Sequence, residues 1–143
     1  MTEQDDKRIR ELLAARVEAM TERDAETLAG QFVPGVVAFT LAPPLVHHGE
    51  DVEDRKAWFA GFDGPIEYEM RDLEVTVGGD VAYSHSLNRL STTPKGLPRP
   101  FELWFRETAC FRKEDGEWRI THLHDSTPFY MDGTMRAALD LKP

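Results

Sequence analysis

Apolar residues recur along this chain with two different periods, and the switch between them divides it. Ile9, Leu12, Leu13, Arg16, Val17 and Met20 fall at helical spacing behind Thr2 and an acidic first turn, which predicts a helix over 3–21. Asp24 is placed to cap a short second helix, Ala25–Ala29, ended by Gly30. Val36–Leu41 is β-branched and aromatic, a short strand stopped by Pro43 and Pro44, and His47, His48 and Gly49 read as loop. Acidic residues from Glu50 open a third helix that runs to about Phe62, with Val52, Trp58, Phe59 and Phe62 on its apolar side.

From Pro65 onward the period is two. Ile66, Tyr68 and Met70 alternate on one parity and Leu73, Val75 and Val77 on the other, so a bulge or bend is expected near Arg71 and Asp72. Gly78-Gly79-Asp80 turns the chain into a strand over Val81–Leu90. A loop rich in Pro, Gly and Lys, Ser91–Pro100, leads to a strand over Phe101–Lys113, and Glu114-Asp115-Gly116 turns into the last one. Thr134–Leu139 reads as a short tail helix. Helices followed by a meander imply an α+β fold. The helices at 3–21 and 50–62 should pack on the concave side of one strongly bent antiparallel sheet, forming a cone with a pocket inside.

The last strand carries the densest chemistry. Alternation over Gly116–Pro128 puts Trp118, Ile120, His122, His124 and Ser126 on one face. Trp118 and Ile120 mark that face as buried, so the histidines must be hydrogen-bonded, liganded or turned toward a cavity. The cavity is the reading adopted.

Composition narrows the partners. The 143 residues fit one domain, and 41% hydrophobic with 30% charged residues is a globular balance. A net charge of −9 argues against nucleic acid or an anionic membrane surface as the partner. There is no apolar run of the roughly 20 residues a membrane span needs, and the acidic N-terminus is unlike a signal peptide, so a cytoplasmic location is expected. The single cysteine, Cys110, excludes an intramolecular disulfide and reads as a small core residue.

The element order, Gly49-Glu50 before the third helix, Asp80-Val81-Ala82 opening a strand, Arg106-Glu107-Thr108, and the run from Phe111 through Trp118 to His124 together resemble the nuclear-transport-factor-2-like superfamily. Within it the chain is most similar to SnoaL-like and ketosteroid-isomerase-related proteins. The ending also resembles the association domain of calmodulin-dependent kinase. The resemblance implies one such domain over 1–143, with the cone-shaped fold above. It also exposes departures. Ketosteroid isomerases carry an aspartate base at the end of the first strand, a tyrosine donor on the first helix and a protonated aspartic acid on the third long strand. At the matching places this chain has Thr40, Arg16 and Thr108. Steroid isomerisation by that mechanism is therefore not expected.

If Thr108 faces the cone, as the resemblance implies, Trp104, Arg106 and Cys110 share its face and His124 lies beside Arg106. His124 or His122 then becomes the base, with Arg106 clamping a carboxylate or steadying an oxyanion. Trp58, Phe62, Tyr68, Trp104, Thr108, Thr40 and Ser126 would line the ligand site. His122-x-His124 has metal-pair spacing but lacks a third ligand, since His85 is uncertain in facing and Asp125 points the other way, so no metal and no cofactor is expected. His47 and His48 sit by the mouth. The opposite face would then bear Phe101, Leu103, Phe105 and Phe111, an apolar patch that predicts a homodimer. Two functions remain open. One is acid–base chemistry of the isomerase, cyclase or dehydratase type on a small apolar oxygenated metabolite. The other is a non-catalytic ligand-binding or oligomerising domain.

Overall fold

The computed structural model describes residues 2–143. Helix α1, Thr2–Glu22, is followed by α2, Ala25–Gly30, whose N-cap Asp24 accepts from the Thr27 amide at 3.1 Å. Strand β1 spans Phe32–Phe39, and His47–His48 form a short strand β2 where a loop was expected. Helix α3 runs Val52–Ala60 with Asp51 rather than Glu50 at its start, because the Asp51 carboxylate accepts from the Glu53 amide at 2.7 Å. Four long strands follow: β3 Phe62–Gly78, β4 Val81–Pro94, β5 Phe101–Glu114 and β6 Glu117–Ser126. Phe62 thus opens a strand instead of closing α3, and β4 runs on into the stretch read as loop. The tail forms no helix; Phe129 and Ala137 pair in an isolated bridge.

The sheet order is β2-β1-β6-β5-β4-β3, curled but not closed. The four long strands are antiparallel, as expected, while β1 adds to β6 in parallel, a pairing the pattern had not disclosed. The parity switch in β3 is real: its register slips between Arg71 and Glu74, with Asp72 at φ 55°. Helix α1 lays Ile9, Leu13, Arg16 and Met20 on the sheet, the first two against Phe32, Phe111 and Ile120. Phe59 of α3 joins a second cluster with Ile66, Leu90 and Phe105. Among the described residues no helix is long and apolar enough to cross a membrane.

The facing of β5 is the reverse of the expected one. Phe105, Glu107, Ala109 and Phe111 are buried inside, and Phe101 and Leu103 also line the interior. Trp104, Arg106, Thr108 and Cys110 therefore take the convex face. The outward patch of Phe101, Leu103, Phe105 and Phe111, on which the homodimer rested, does not exist.

Candidate active site

One extra residue decides which groups meet. In the β5–β6 ladder Phe111 pairs with Ile120 and Cys110 with His122, so Thr121 has no opposite number. Such a bulge shifts the alternation by one. Trp118 and Ile120 point inward, and beyond Thr121 the inward residues are Leu123 and Asp125. His122 and His124 go to the convex side. There His122 Nδ1 donates to the Val37 carbonyl at 2.5 Å, and Phe39 packs edge-on to both imidazoles at 4.8 and 5.2 Å. Arg106 and Thr108 border a separate outer groove with Asp72, Glu74 and His85. Trp104 lies under the Arg71 guanidinium at 5.7 Å, and Ser126 pairs with Arg106 across the strands. The expected His124–Arg106 site is thus not brought to the interior. Leu123, the one aliphatic residue in the second half of β6, was the sequence signal for the shift.

Inside lies a cavity of about 490 Å³. Trp58, Phe62, Tyr68 and Thr40, expected at the ligand site, do line it. Its walls are largely apolar, with Phe32, Val36, Leu90, Phe101 and Leu103 among them. At its mouth Thr40 Oγ1 and His47 Nε2 are hydrogen-bonded at 3.1 Å, and Glu50 is paired with Arg55, whose guanidinium lies 5.1 Å from the Trp58 ring centre.

Besides His47, Glu50, Asp54 and Arg55, the ionisable groups lining the cavity include Arg16 from α1, Tyr68 from β3, Glu107 from β5 and Asp125 from β6. Burial, and then the charge and hydrogen bonding of Glu107, push the Asp125 carboxyl well above its ordinary 3.8, against the opposing pull of Arg16 and Arg55. The two carboxyls thus lie close enough for one to act on the other. Tyr68 is also raised, by burial first and then by Glu107 and Asp125. Its hydroxyl accepts from Asn88 Nδ2 at 2.8 Å, and Ser86 Oγ donates to Asn88 Oδ1 at 2.7 Å. Arg16 is 4% exposed, with its guanidinium 5.0 Å from the Phe32 ring centre, and its Nε and Nη1 have no protein partner. Asp125 Oδ1 and Glu50 Oε2 are likewise buried and unpartnered. These atoms border the cavity and leave hydrogen-bonding capacity turned toward it.

Strict alternation would place Glu107 and Asp125 on the outer face, which is why the sequence does not disclose them. Thr108 is no acid, yet a carboxyl does enter from its strand, one residue earlier. A phenol also enters, from β3 rather than from α1.

Residues 9–130 match the SnoaL-like domain family. The chain belongs to that family. No curated protein gives a match. Among solved structures, this SnoaL-like chain is similar to an NTF2-like protein of unknown function from Pseudomonas putida, at 29% identity and a TM-score of 0.86, covering 100% of this chain and 99% of that one. A putative dehydratase of the NTF2-like family from Streptomyces avermitilis has 21% identity and a TM-score of 0.75 over 88% of this chain and 97% of its own. A putative scytalone dehydratase from Novosphingobium aromaticivorans has 15% identity and a TM-score of 0.76 over 96% and 95%. The last two likenesses concern the fold.

Proposed function

We propose that this SnoaL-like protein carries out acid–base chemistry on a small, mostly apolar, oxygenated molecule held in the interior cavity, with the Asp125–Glu107 pair as its proton donor and acceptor. The observation that carries the reading is the Asp125 carboxyl, held above its ordinary range by burial and by Glu107 at an apolar cavity, beside a guanidinium with two unpartnered nitrogens. Two carboxyls whose protonation is split by their surroundings supply an acid and a base at one pH. In an isomerisation, the Glu107 carboxylate acts as the base that takes a proton from the carbon next to a carbonyl. Arg16 steadies the resulting enolate oxygen, and Asp125 gives its proton to a second carbon. The pair ends with the proton on Glu107, and a hop across their hydrogen bond restores the start. In a dehydration, Asp125 instead protonates the departing hydroxyl. The two neighbours named as putative dehydratases agree with that variant. The roles first assigned to His124, His122 and Arg106 pass to Asp125, Glu107 and Arg16.

The test is proton exchange into deuterated water at the α-carbon of a panel of cyclic ketones, followed by NMR. Wild type should accelerate exchange of at least one, and Glu107→Gln should lose at least about a hundredfold. No acceleration by wild type, or an equal rate in Glu107→Gln, would overturn it.

A further inference from the structure

The cavity has a second charged end that the acid–base reading leaves without a task. Arg16, Glu107 and Asp125 border it inside, Glu50 and Arg55 border it at the mouth, and the rest of the lining is largely apolar. Helix α3 does not call for Glu50. Its N-terminus already has Asp51 as cap and Glu53 and Asp54 in the first turn. Glu50, the residue before the cap, pairs with Arg55 instead, and the two side chains are only 16% and 17% exposed. Arg55 is held at the wall by its stacking over Trp58, which lines the same cavity. Packing does not call for the pair either, because apolar residues of similar volume generally serve a buried site as well or better. One of its atoms is also left over: Arg55 engages Glu50 Oε1, while Glu50 Oε2 is buried without a protein partner. A carboxylate oxygen only accepts, so this atom suits a donor. Charge decides which donor. Arg55 already balances Glu50, so an ammonium group would be set against that guanidinium, and a carboxylate would face both Glu50 and Asp54. An uncharged hydroxyl or N–H meets neither repulsion.

We propose that Glu50 is a specificity-determining residue that accepts a hydrogen bond from an uncharged donor at the substrate's end remote from the reacting carbon. The proposal rests on the acid–base reading of the same cavity, which sets the reacting end at Arg16, Glu107 and Asp125. The substrate class is then narrower than an apolar ketone. It is an apolar body with a carbonyl-type oxygen at one end and a hydroxyl or N–H at the other. An analogue lacking that donor is rejected, because it covers the Glu50 oxygen without pairing it.

The probe is 6-hydroxy-2-tetralone, compared with its methyl ether, 6-methoxy-2-tetralone, by calorimetry on the full chain at neutral pH. Each ketone has a carbonyl oxygen that only accepts, which suits the Arg16 donors and not Glu50, so the group on the far ring is directed to the mouth. Wild type should bind the hydroxyl probe about tenfold or more tightly than the ether, the usual effect of a hydrogen bond to a charged group. Glu50→Gln, with circular dichroism confirming its fold, keeps an oxygen for Arg55 and puts an amide N–H in place of the free carboxylate oxygen. The preference should then vanish or reverse. Mere damage to the cavity would weaken both ketones together and leave the ratio as it was. If Glu50→Gln does not fold, Glu50→Leu combined with Arg55→Leu removes the pair whole and should also abolish the preference. Equal affinity of wild type for the two ketones, or an undiminished preference in the folded variant, overturns the proposal while the acid–base reading stands. The expected preference without ketone exchange by wild type keeps the Glu50 contact and removes the acid–base reading. Failure of wild type to bind either ketone removes both.

Discussion

At the scale of single residues, the site turns on a carboxyl whose pKa folding raises. Because the Asp125 pKa is raised in the fold above its ordinary 3.8, its contribution to stability is whole below that value and is lost as pH rises through the raised one. Asp125→Asn should therefore unfold at higher urea than wild type at neutral pH, with a flatter dependence of the midpoint on pH, while proton exchange is abolished. An unchanged pH dependence would mean that folding does not raise the Asp125 carboxyl. His124 makes the opposite case. It is exposed on the convex face, so His124→Ala should alter stability by no more than about 0.5 kcal/mol and leave probe affinity unchanged. A loss of affinity in calorimetry would place that imidazole in the site after all.

At the scale of elements, the Thr121 bulge and the anchoring of α1 matter most. Deleting Thr121 would remove the bulge and leave Ile120, Leu123 and Asp125 on the inner face, because inward Ile120 would then be followed directly by outward His122. The deletion variant should therefore fold and keep Leu123 buried; a loss of about 2–5 kcal/mol in urea unfolding, the cost of a lost core leucine, would show that the inward set depends on the bulge itself. At the other end of the cone, Asp5 of α1 accepts from Trp118 Nε1 at 3.0 Å and Lys113 Nζ at 3.1 Å. Those bonds, the tryptophan's first, hold its carboxyl below the ordinary range. The stabilisation is present above the ordinary value and lost as pH falls through the lowered one. Asp5→Asn should lower Tm at neutral pH and flatten the acid side of the stability profile, the reverse of Asp125→Asn. The helices and long strands behind these devices were legible, since their hydrophobic periods are local. The bulge was not, because Thr121 resembles any strand residue until Ile120 and His122 find their partners on β5.

At the scale of the whole molecule, stability and function pull apart at Arg16. A permanently charged guanidinium buried with two unpartnered nitrogens is a standing cost, partly offset by its stacking on Phe32. Arg16→Met should raise the stability of the ligand-free protein by about 1–2 kcal/mol while abolishing exchange and probe binding. A destabilised Arg16→Met would show that Glu107 already balances the charge. The loss of the supposed outer patch acts at this scale too: Phe105 and Phe111 serve the core, and Phe101 and Leu103 the cavity wall.

By itself the sequence determined the α+β class, the order of the helices and long strands, the bend near Asp72 and the aromatic character of Trp58, Phe62 and Tyr68, because each follows from neighbours a few positions apart. It did not determine which face of β5 and β6 is inside. That choice depends on a one-residue slip between two strands, and with a period of two a slip of one exchanges every side chain. Only the tertiary structure therefore decided that Glu107 and Asp125, and not Arg106 and His124, meet Arg16 around the cavity.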